Sequence, residues 1–460
     1  MASKETKHSI AVVGGGLVGS LNTCFLAKRG FEVHLYEYRE DIRTLEHVQG
    51  KSINLALAER GRHALRKLGI EPRLISTGIP MYSRMIHDLD GKTRVIPYGQ
   101  QHQYNLSMDR RKLNEDLLTQ AESFPNVHLY FGYKLVSCDF ETNNMTFERP
   151  DGTTESASAD FIIGCDGAHS TLRSQMMKRA MFNYSQEYIP HAYKEICLRP
   201  LNGQFAMEVN HLHIWPRSKF MLIALPNQDK TFTCTVFMPW DNFSVIKSEE
   251  ECIQFFNEMF PDFIKLMGEK NLLLDYFQLP PQPLISVKCY PYHIGSSAVI
   301  MGDAAHAMVP FHGQGMNCGF EDCLVFDNIL ETTGNNFEKA IVEFTQMRNK
   351  DAAAICDLSM RNYLEMRDHV NHVSYLLRKK LDNLLHFVCK NKWIPLYSMV
   401  MYTNIPYHKC VEYREWQDKV LDRSNTVLKV AMVTGGGILL WKNWSNIMNF
   451  IDDFAYKIKH

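Results

Sequence analysis

The sequence predicts an α/β protein: a dinucleotide-binding parallel sheet, a second antiparallel sheet, and a helical carboxyl-terminal region. Three observations carry this. An apolar run at residues 10–13 enters the turn Gly14-Gly15-Gly16-Leu17-Val18-Gly19, a helix-like stretch (21–29) leaves it, and a second apolar run ends in Glu37. Residues 181–289 are rich in short apolar runs bounded by Asn-Gly, Pro and Asp, the pattern of antiparallel strands. Beyond residue 316 apolar residues recur at helical spacing.

The parts of the opening stretch have separate physical reasons. Gly14 permits a tight turn, Gly16 lets a pyrophosphate approach the backbone, and Gly19 lets helix and strand pack closely. Glu37 is placed to accept hydrogen bonds from ribose hydroxyls. The free N–H groups and positive dipole end of the helix hold the phosphates.

At 460 residues the chain is long enough for two or three domains. It is 45% hydrophobic and 22% charged, an ordinary globular balance. A net charge of −1 without a long basic run points away from nucleic acid. The 12 cysteines are scattered, and no Cys-x-x-Cys occurs; this suggests reduced thiols in a cytosol-like compartment and offers no metal-ligand spacing. The sequons at Asn105 and Asn183 then read as chance matches. The polar first eight residues, so close to the first strand, lead to the expectation of neither a secretory signal nor a cleaved transit peptide.

In order along the chain, residues 52–57 read as a short buried segment, and 60–68 as a helix stopped by Gly69. Two half-apolar runs at 83–89 and 93–98 flank Asp90-Gly91, a hairpin signal and the first excursion into the second sheet. Residues 106–114 return to a helix, with Leu113, Leu117, Leu118 and Ala121 as its apolar face. Runs at 127–131, 134–138 and 145–148 look like a small meander. A buried strand at 160–163 leads to Asp166-Gly167, and Ser170 can cap the next helix. Residues 249–260 form an amphipathic helix. Another buried strand (298–301) ends in Gly302-Asp303, a loop covers 310–315, and a long helix begins near Met316. Helical pieces follow at 336–362, 363–380 and 381–388. The expected organisation is a nucleotide-binding domain over 1–180 (with 71–103 lent to the second sheet), an antiparallel-sheet domain over 181–289, the second part of the nucleotide-binding domain over 290–380, and a helical region over 381–460.

Three motifs now stand together: Gly14 to Gly19; Cys165-Asp166-Gly167-Ala168-His169-Ser170; and Met301-Gly302-Asp303-Ala304-Ala305-His306 running into Pro310-Phe311-His312-Gly313-Gln314-Gly315-Met316-Asn317. In order and distance they resemble the single-component flavoprotein aromatic hydroxylases, whose nucleotide-binding domain is of the para-hydroxybenzoate hydroxylase type. Tyr184-Ser185-Gln186, the stretch from Leu212 to Arg217, and that from Asn362 to Arg367 resemble one branch of that family more closely. The resemblance implies bound FAD, NADPH as a transient co-substrate, and O2 activated as a flavin C4a-hydroperoxide. It implies hydroxylation of L-kynurenine beside its ring amine. Two alternatives stay open: a related hydroxylase of another aromatic acid, and a flavin-bearing membrane scaffold.

The resemblance also implies site residues. For FAD these are Gly14, Gly16, Val18, Gly19, Glu37, Arg39, Ala56, Arg110, Leu135, Asp166, Asp303, Gly315, Met316 and Asn317. Asp303 at a strand end suits a ribityl or ribose hydroxyl, and the N–H groups near Gly315 suit the flavin N1–C2=O edge. Simple helix capping is the competing reading of Asp166 and Asp303. Arg84 and Tyr98, across the hairpin, suit a substrate carboxylate, because an Arg fork binds it bidentately and Tyr adds a hydrogen bond. A solvated strand arginine is the competing reading of Arg84. Asn362 and Tyr397 match the opposite side, with Glu365 and Met366 on the same helical face as Asn362. Phe311 and His312 lie on the loop over the flavin; the family more often carries an aromatic where His312 stands, which leaves loop packing and a pH effect open. The flavin carries the chemistry, so no catalytic side chain and no metal is expected.

Residues 427–441 are apolar but include Lys429 and three glycines, short of the roughly twenty residues that span a bilayer. With Trp441, Trp444 and apolar positions to Phe454, a membrane-associating tail over 425–455 reads as interfacial or marginal; a core helix is the alternative. The resemblance implies an anchor in the mitochondrial outer membrane, with the catalytic part facing the cytosol.

Overall fold

The computed structural model describes residues 8–46, 54–99, 103–278, 280–367 and 373–433. At its centre Ser9–Val13 pairs in parallel with Glu32–Glu37 on one side and Phe161–Gly164 on the other. Val127–Phe131 and Ala298–Ile300 extend the sheet in parallel, and the short strand His293–Ile294 closes one edge antiparallel. Parallel strands buried on both faces need continuous apolar runs, and Ile10 to Val13 and Ile162-Ile163 supply them at 4% exposure or less. The helices Leu17–Lys28, Gly315–Thr332 and Phe337–Arg367 pack around this sheet.

The second sheet runs Gln282–Tyr290, Asn183–Leu198, Phe232–Pro239, Phe220–Pro226, His211–Arg217, Ser83–His87, Thr93–Pro97. The hairpin at Asp90-Gly91 forms, and its first strand joins the sheet by a parallel pairing, His211 against Ser83 and Leu212 against Arg84. All other pairings in this sheet are antiparallel. One face packs on helices between Trp240 and Gln278; the other carries Ile86, Ile214, Met221 and Phe237 toward Phe311, Tyr363 and Met366.

Several expectations are corrected. Residues 106–109 are not helical: Asn105–Asp109 is a strand between Asn54–Leu57 and Ile79–Met81. The helix starts at Arg110 because Asp109 accepts the Lys112 N–H at 2.9 Å, and its buried face is Leu113, Leu117, Leu118 and Ala121. Val127–Phe131 belongs to the parallel sheet; the meander is Lys134–Asp139, Asn144–Glu148 and Thr154–Ser158. No break falls at residue 362, since Phe337–Arg367 runs through it, and Val373–Cys389 is the next helix. The helix Tyr407–Val433 enters the expected tail over 425–455, of which residues 434–455 lie outside the described residues. Among the described residues no helix is long and apolar enough to cross a membrane.

Candidate active site

The nucleotide cradle sits at the carboxyl ends of the parallel strands. Gly14 has φ +105°, and a Cβ there would stand 2.4 Å from the Cys165 carbonyl oxygen; one on Gly19 would stand 1.9 Å from that of Gly14. Strand, turn and helix therefore touch as only glycine allows. A Cβ on Gly16, by contrast, meets no described atom within 4 Å. Glu37 accepts from the Gly15 N–H at 2.7 Å and the Arg39 N–H at 3.0 Å, fixing its carboxylate at the turn. Arg39 is exposed and folds onto Tyr38. Its carbonyl accepts from Gly132, which brings the strand of buried Leu135 alongside. Arg110 is exposed at the first helical turn.

Asp166 acts as a cap. It accepts from the Ser170 hydroxyl at 2.6 Å and the Leu172 N–H at 3.0 Å, and burial pushes its carboxyl above the ordinary range. Asp303 is exposed, and a Cβ on Gly315 would lie 4.0 Å from its Oδ1. Val18 packs under Gly302 and Gly319, joining the first helix to the later motif. Asn317 is fully buried; it donates to the carbonyls of Ala56 and Gly313 and accepts from the Ala58 N–H, each at 2.8 Å. Met316 is buried among the apolar residues of the first helix.

The helices starting at Leu17 and Gly315 carry no side-chain cap among the described residues, and the first N–H groups of a helix have no partner within it. An open Gly16 beside free helix donors fits a pyrophosphate, and the uncapped turn at Gly315 fits an anionic ring edge. These residues fit FAD.

Behind Gly302 lies a buried ionic network. Asp322 accepts from the Gly302 N–H at 2.9 Å, pairs with His306 at 2.6 Å and accepts from Arg348 at 2.9 Å. Burial alone would raise its pKa, but His306 and Arg348 hold it below the ordinary range. Arg348 also reaches Glu321, which pairs with Arg60 at 2.6 Å. Arg60 stacks on Tyr407, whose hydroxyl donates to Gln314 at 2.8 Å.

The second cluster centres on Tyr397. Its ring lies 4.7 Å from the Arg84 guanidinium, stacks on Tyr98 at 5.6 Å and on His312 at 5.7 Å, and meets Tyr402 edge-on at 6.3 Å. Asn105 donates to its hydroxyl at 3.3 Å. Four polar atoms of these neighbours are buried without a hydrogen-bond partner among the described residues: Arg84 Nε, Asn105 Oδ1, His312 Nδ1 and the Tyr402 hydroxyl. Arg84 is 4% exposed and stands 3.6 Å from Glu365, which accepts from Tyr375 at 2.5 Å. The solvated-arginine reading is thereby excluded. His312 fills the space of an aromatic ring, and burial pushes it down to about 4, leaving it neutral. Asn362 donates to the Phe311 carbonyl at 2.7 Å, so its NH2 ties the long helix to the loop; Met366 packs beneath, its sulfur 3.2 Å away. Phe311 stacks on Tyr363 at 4.0 Å.

The sequence reading missed four neighbours: Asn105, Tyr402, Tyr375 and Lys379. Asn105 was visible only as a sequon, and its side chain is 1% exposed. Tyr375 and Lys379 stand four apart on one helix turn, the only available signal. Burial and the Arg84 charge push the Lys379 ammonium down to about 8 against the pull of Glu365.

The comparisons agree with this geometry. The protein 2-methyl-3-hydroxypyridine-5-carboxylic acid oxygenase superposes with a TM-score of 0.64 at 20% identity, over 81% of this chain and 96% of its own. PqsL of Pseudomonas aeruginosa, in complex with 2-aminobenzoylacetate, gives 0.65 at 15% identity, over 81% and 100%. The FAD binding domain family matches residues 7–351. The fold is thus that of the FAD-dependent monooxygenases. Kynurenine 3-monooxygenase of Sus scrofa is 52% identical over 92% of this chain and 89% of its own length; that of Caenorhabditis elegans is 45% identical over 95% and 98%. The chain belongs to the kynurenine 3-monooxygenase family of FAD-binding proteins.

Proposed function

We propose that the chain is an FAD-dependent monooxygenase that converts L-kynurenine to 3-hydroxy-L-kynurenine with NADPH and O2. The observation that carries this is the set of orphaned polar atoms around Tyr397, a polar demand next to a dinucleotide cradle. FAD, when bound, supplies oxygen activation and transfer, which no side chain provides. Gly14, Gly16, Val18, Gly19 and Glu37 hold its nucleotide half. Asp303, Gly315, Met316 and Asn317 line the other half, with Ala56, Arg110, Leu135, Arg39 and Asp166 around them.

The side chains position and shield. Arg84 binds the substrate carboxylate by its fork, with the hydroxyls of Tyr98 and Tyr397 beside it. Glu365 offers the ammonium a counter-charge. Ile86, Ile214, Phe311 and Met366 form an apolar wall that keeps water from the ring and prevents unproductive peroxide release. Asn362 sets the height of the Phe311 loop. No side chain is required as a base: the ring amine of the substrate activates the attacked carbon. NADPH docks transiently beside the cradle.

The test is NADPH oxidation by the purified chain with and without L-kynurenine, with the product identified by mass. Stimulated oxidation and a product heavier by one oxygen support the proposal. Stimulated oxidation giving only peroxide makes kynurenine an effector and moves the substrate to another aromatic acid. No stimulation in flavin-loaded protein rejects it.

The proposal extends to the tail. Residues 425–455, apolar and bearing Trp441 and Trp444, attach the chain to the mitochondrial outer membrane with the site facing the cytosol. Full chain and chain ended at 424 are compared by fractionation. If both stay with the membrane, the tail is not the anchor.

A further inference from the structure

The strand that carries Arg84 has a second face. Side chains alternate along Ser83–His87, so Arg84 and Ile86 turn to the substrate side, while Ser83 and His87 turn to the helices behind the sheet. There His87 enters a chain of buried polar groups. Its Nδ1 stands 2.6 Å from Oδ2 of Asp262, in the helix Pro261–Met267, and its Nε2 stands 2.9 Å from Nδ1 of His213. Nε2 of His213 stands 2.7 Å from the Glu208 carbonyl oxygen. His87 is 5% exposed and His213 is 1% exposed.

Both ends of this chain are acceptors. The Glu208 carbonyl has no proton to give, so His213 donates to it through Nε2. At the other end both Asp262 oxygens accept from the Trp215 indole, at 2.9 Å each. Burial alone would raise the Asp262 pKa, but the hydrogen bonds from His87 and Trp215 hold it below the ordinary range, so it is a carboxylate. Three hydrogen bonds then need three N–H groups, and two neutral imidazoles own only two. One ring therefore carries an extra proton. Burial pushes His213 down to about 3, which makes it the neutral ring. The charge falls on His87, where Asp262 balances it. The His87 ring also lies on the Trp215 indole, 3.9 Å between centroids and 21° between planes, and an aromatic face attracts a cation. The other charged or titratable neighbours are already engaged. Arg217 donates to the His87 carbonyl at 3.1 Å, and His211 accepts from the Ser83 hydroxyl at 2.5 Å and reaches the Glu208 carboxylate at 3.1 Å. Asp88, next along the hairpin, pairs with Arg94.

Only four residue pairs register Ser83–His87 against His211–Arg217. A slip of one residue would turn Arg84 to the wrong face of the sheet. The bond from Ser83 to His211 holds one end of the strand, and the chain through His87 holds the other, with Arg84 between them.

We infer that His87 is a doubly protonated positioning residue, whose two N–H groups hold the strand in register and so keep Arg84 where the substrate carboxylate arrives. His87 itself touches no substrate. The kinetic consequence rests on the proposed kynurenine reaction; the protonation of the ring does not.

The full chain with its flavin is made with isotope-labelled histidine, and the ring nitrogens are read by NMR at neutral pH. The expected spectrum contains a ring with both nitrogens protonated that is lost in His87→Phe and displaced in Trp215→Phe. The wild-type spectrum and the tryptophan variant identify the ring even if His87→Phe does not fold. In steady-state kinetics His87→Phe keeps the stack on Trp215 but removes both donors, so KM for L-kynurenine rises about 10-fold while kcat and flavin content stay within about twofold. In Asp262→Asn the carboxamide donates to His87 Nδ1, so neutral imidazoles close the chain: the doubly protonated ring disappears from the spectrum, and KM rises less than in His87→Phe. A single protonated nitrogen on the wild-type His87 ring overturns the inference, as does a doubly protonated ring retained in Asp262→Asn. A fall in kcat or flavin content at unchanged KM makes His87 scaffold alone and overturns the positioning role. Absence of kynurenine-stimulated turnover in the wild-type chain is a separate result, which rejects the reaction and leaves the spectrum to decide the proton.

Discussion

Nη1 of Arg84 and Oε1 of Glu365 stand 3.6 Å apart, inside ion-pair range and beyond hydrogen-bond range. The pair spans from a hairpin strand to the long helix without using up the arginine's donors, and Arg84 Nε has no partner among the described residues. The guanidinium is held in place by the rings and hydroxyls of Tyr98 and Tyr397 and by charge.

Arg84→Lys therefore raises KM for L-kynurenine about 10-fold or more, on the order of 1.5–3 kcal/mol for lost charge-assisted hydrogen bonds. Flavin content stays unchanged. Steady-state kinetics with a flavin absorbance spectrum checks both, and an unchanged KM removes Arg84 from the substrate site.

Gly16→Ala and Gly19→Ala separate fold from cofactor. A Cβ on Gly19 collides with the Gly14 carbonyl, so that variant melts at a lower temperature even without FAD. A Cβ on Gly16 meets no described protein atom, so that variant keeps the melting temperature of the FAD-free protein and binds FAD more weakly. Equal behaviour of the two rejects the cradle.

Acid should destabilise the protein through buried imidazoles. Burial pushes His312 down to about 4 and His213 down to about 3, from an ordinary value near 6.5. The unfolded chain therefore binds more protons than the folded one below about pH 6.5. Stability is full above that pH and is lost as pH falls toward 4. Melting curves between pH 7 and 4 show this decline, and His312→Phe makes it shallower.

Lys379 gives the opposite limb. With its ammonium pushed down to about 8, it is charged at neutral pH and loses that charge as pH rises through 8. KM for a carboxylate substrate climbs over that interval, and Lys379→Met abolishes the inflection. A profile identical in the variant places the titration elsewhere.

Arg348→Met leaves Asp322, Glu321 and Asp351 without a shared cation in a dry interior. Breaking a buried pair from one side costs about 3–5 kcal/mol. Denaturant unfolding measures it. A loss below 1 kcal/mol means that His306 and Arg60 suffice.

Where local pattern and fold agree, the sequence was legible. The turn at Gly14, the hairpin at Asp90-Gly91, the cap at Ser170 and the stop at Gly69 are set by short-range chemistry, and all four form. The strand at Asn105–Asp109 was not legible: it runs without a break into the helix at Arg110, whose apolar face (Leu113, Leu117, Leu118) masks the two-residue spacing of Leu106 and Met108, and pairing with Asn54–Leu57 decides it. Val127–Phe131 was legible as a strand but not in its partner, Glu32–Glu37, which lies some ninety residues away along the chain. In the site, Arg84 and Tyr98 were readable from a two-strand hairpin. Asn105, Tyr402 and Tyr375 were not, because what unites them is Tyr397 and Glu365, reached only through tertiary packing.

The parallel pairing of Ser83–His87 with His211–Arg217 bears on how the molecule is made. The strand carrying Arg84 leaves the ribosome 128 residues before Ser83 meets His211, a delay of roughly 6–26 s at about 5–20 residues per second. During that interval the hairpin has one open edge and an apolar face with nothing to cover it. A nascent chain stalled between residues 100 and 210 is therefore the form of this protein most in need of a chaperone, and the substrate pocket is among the last features a growing chain acquires.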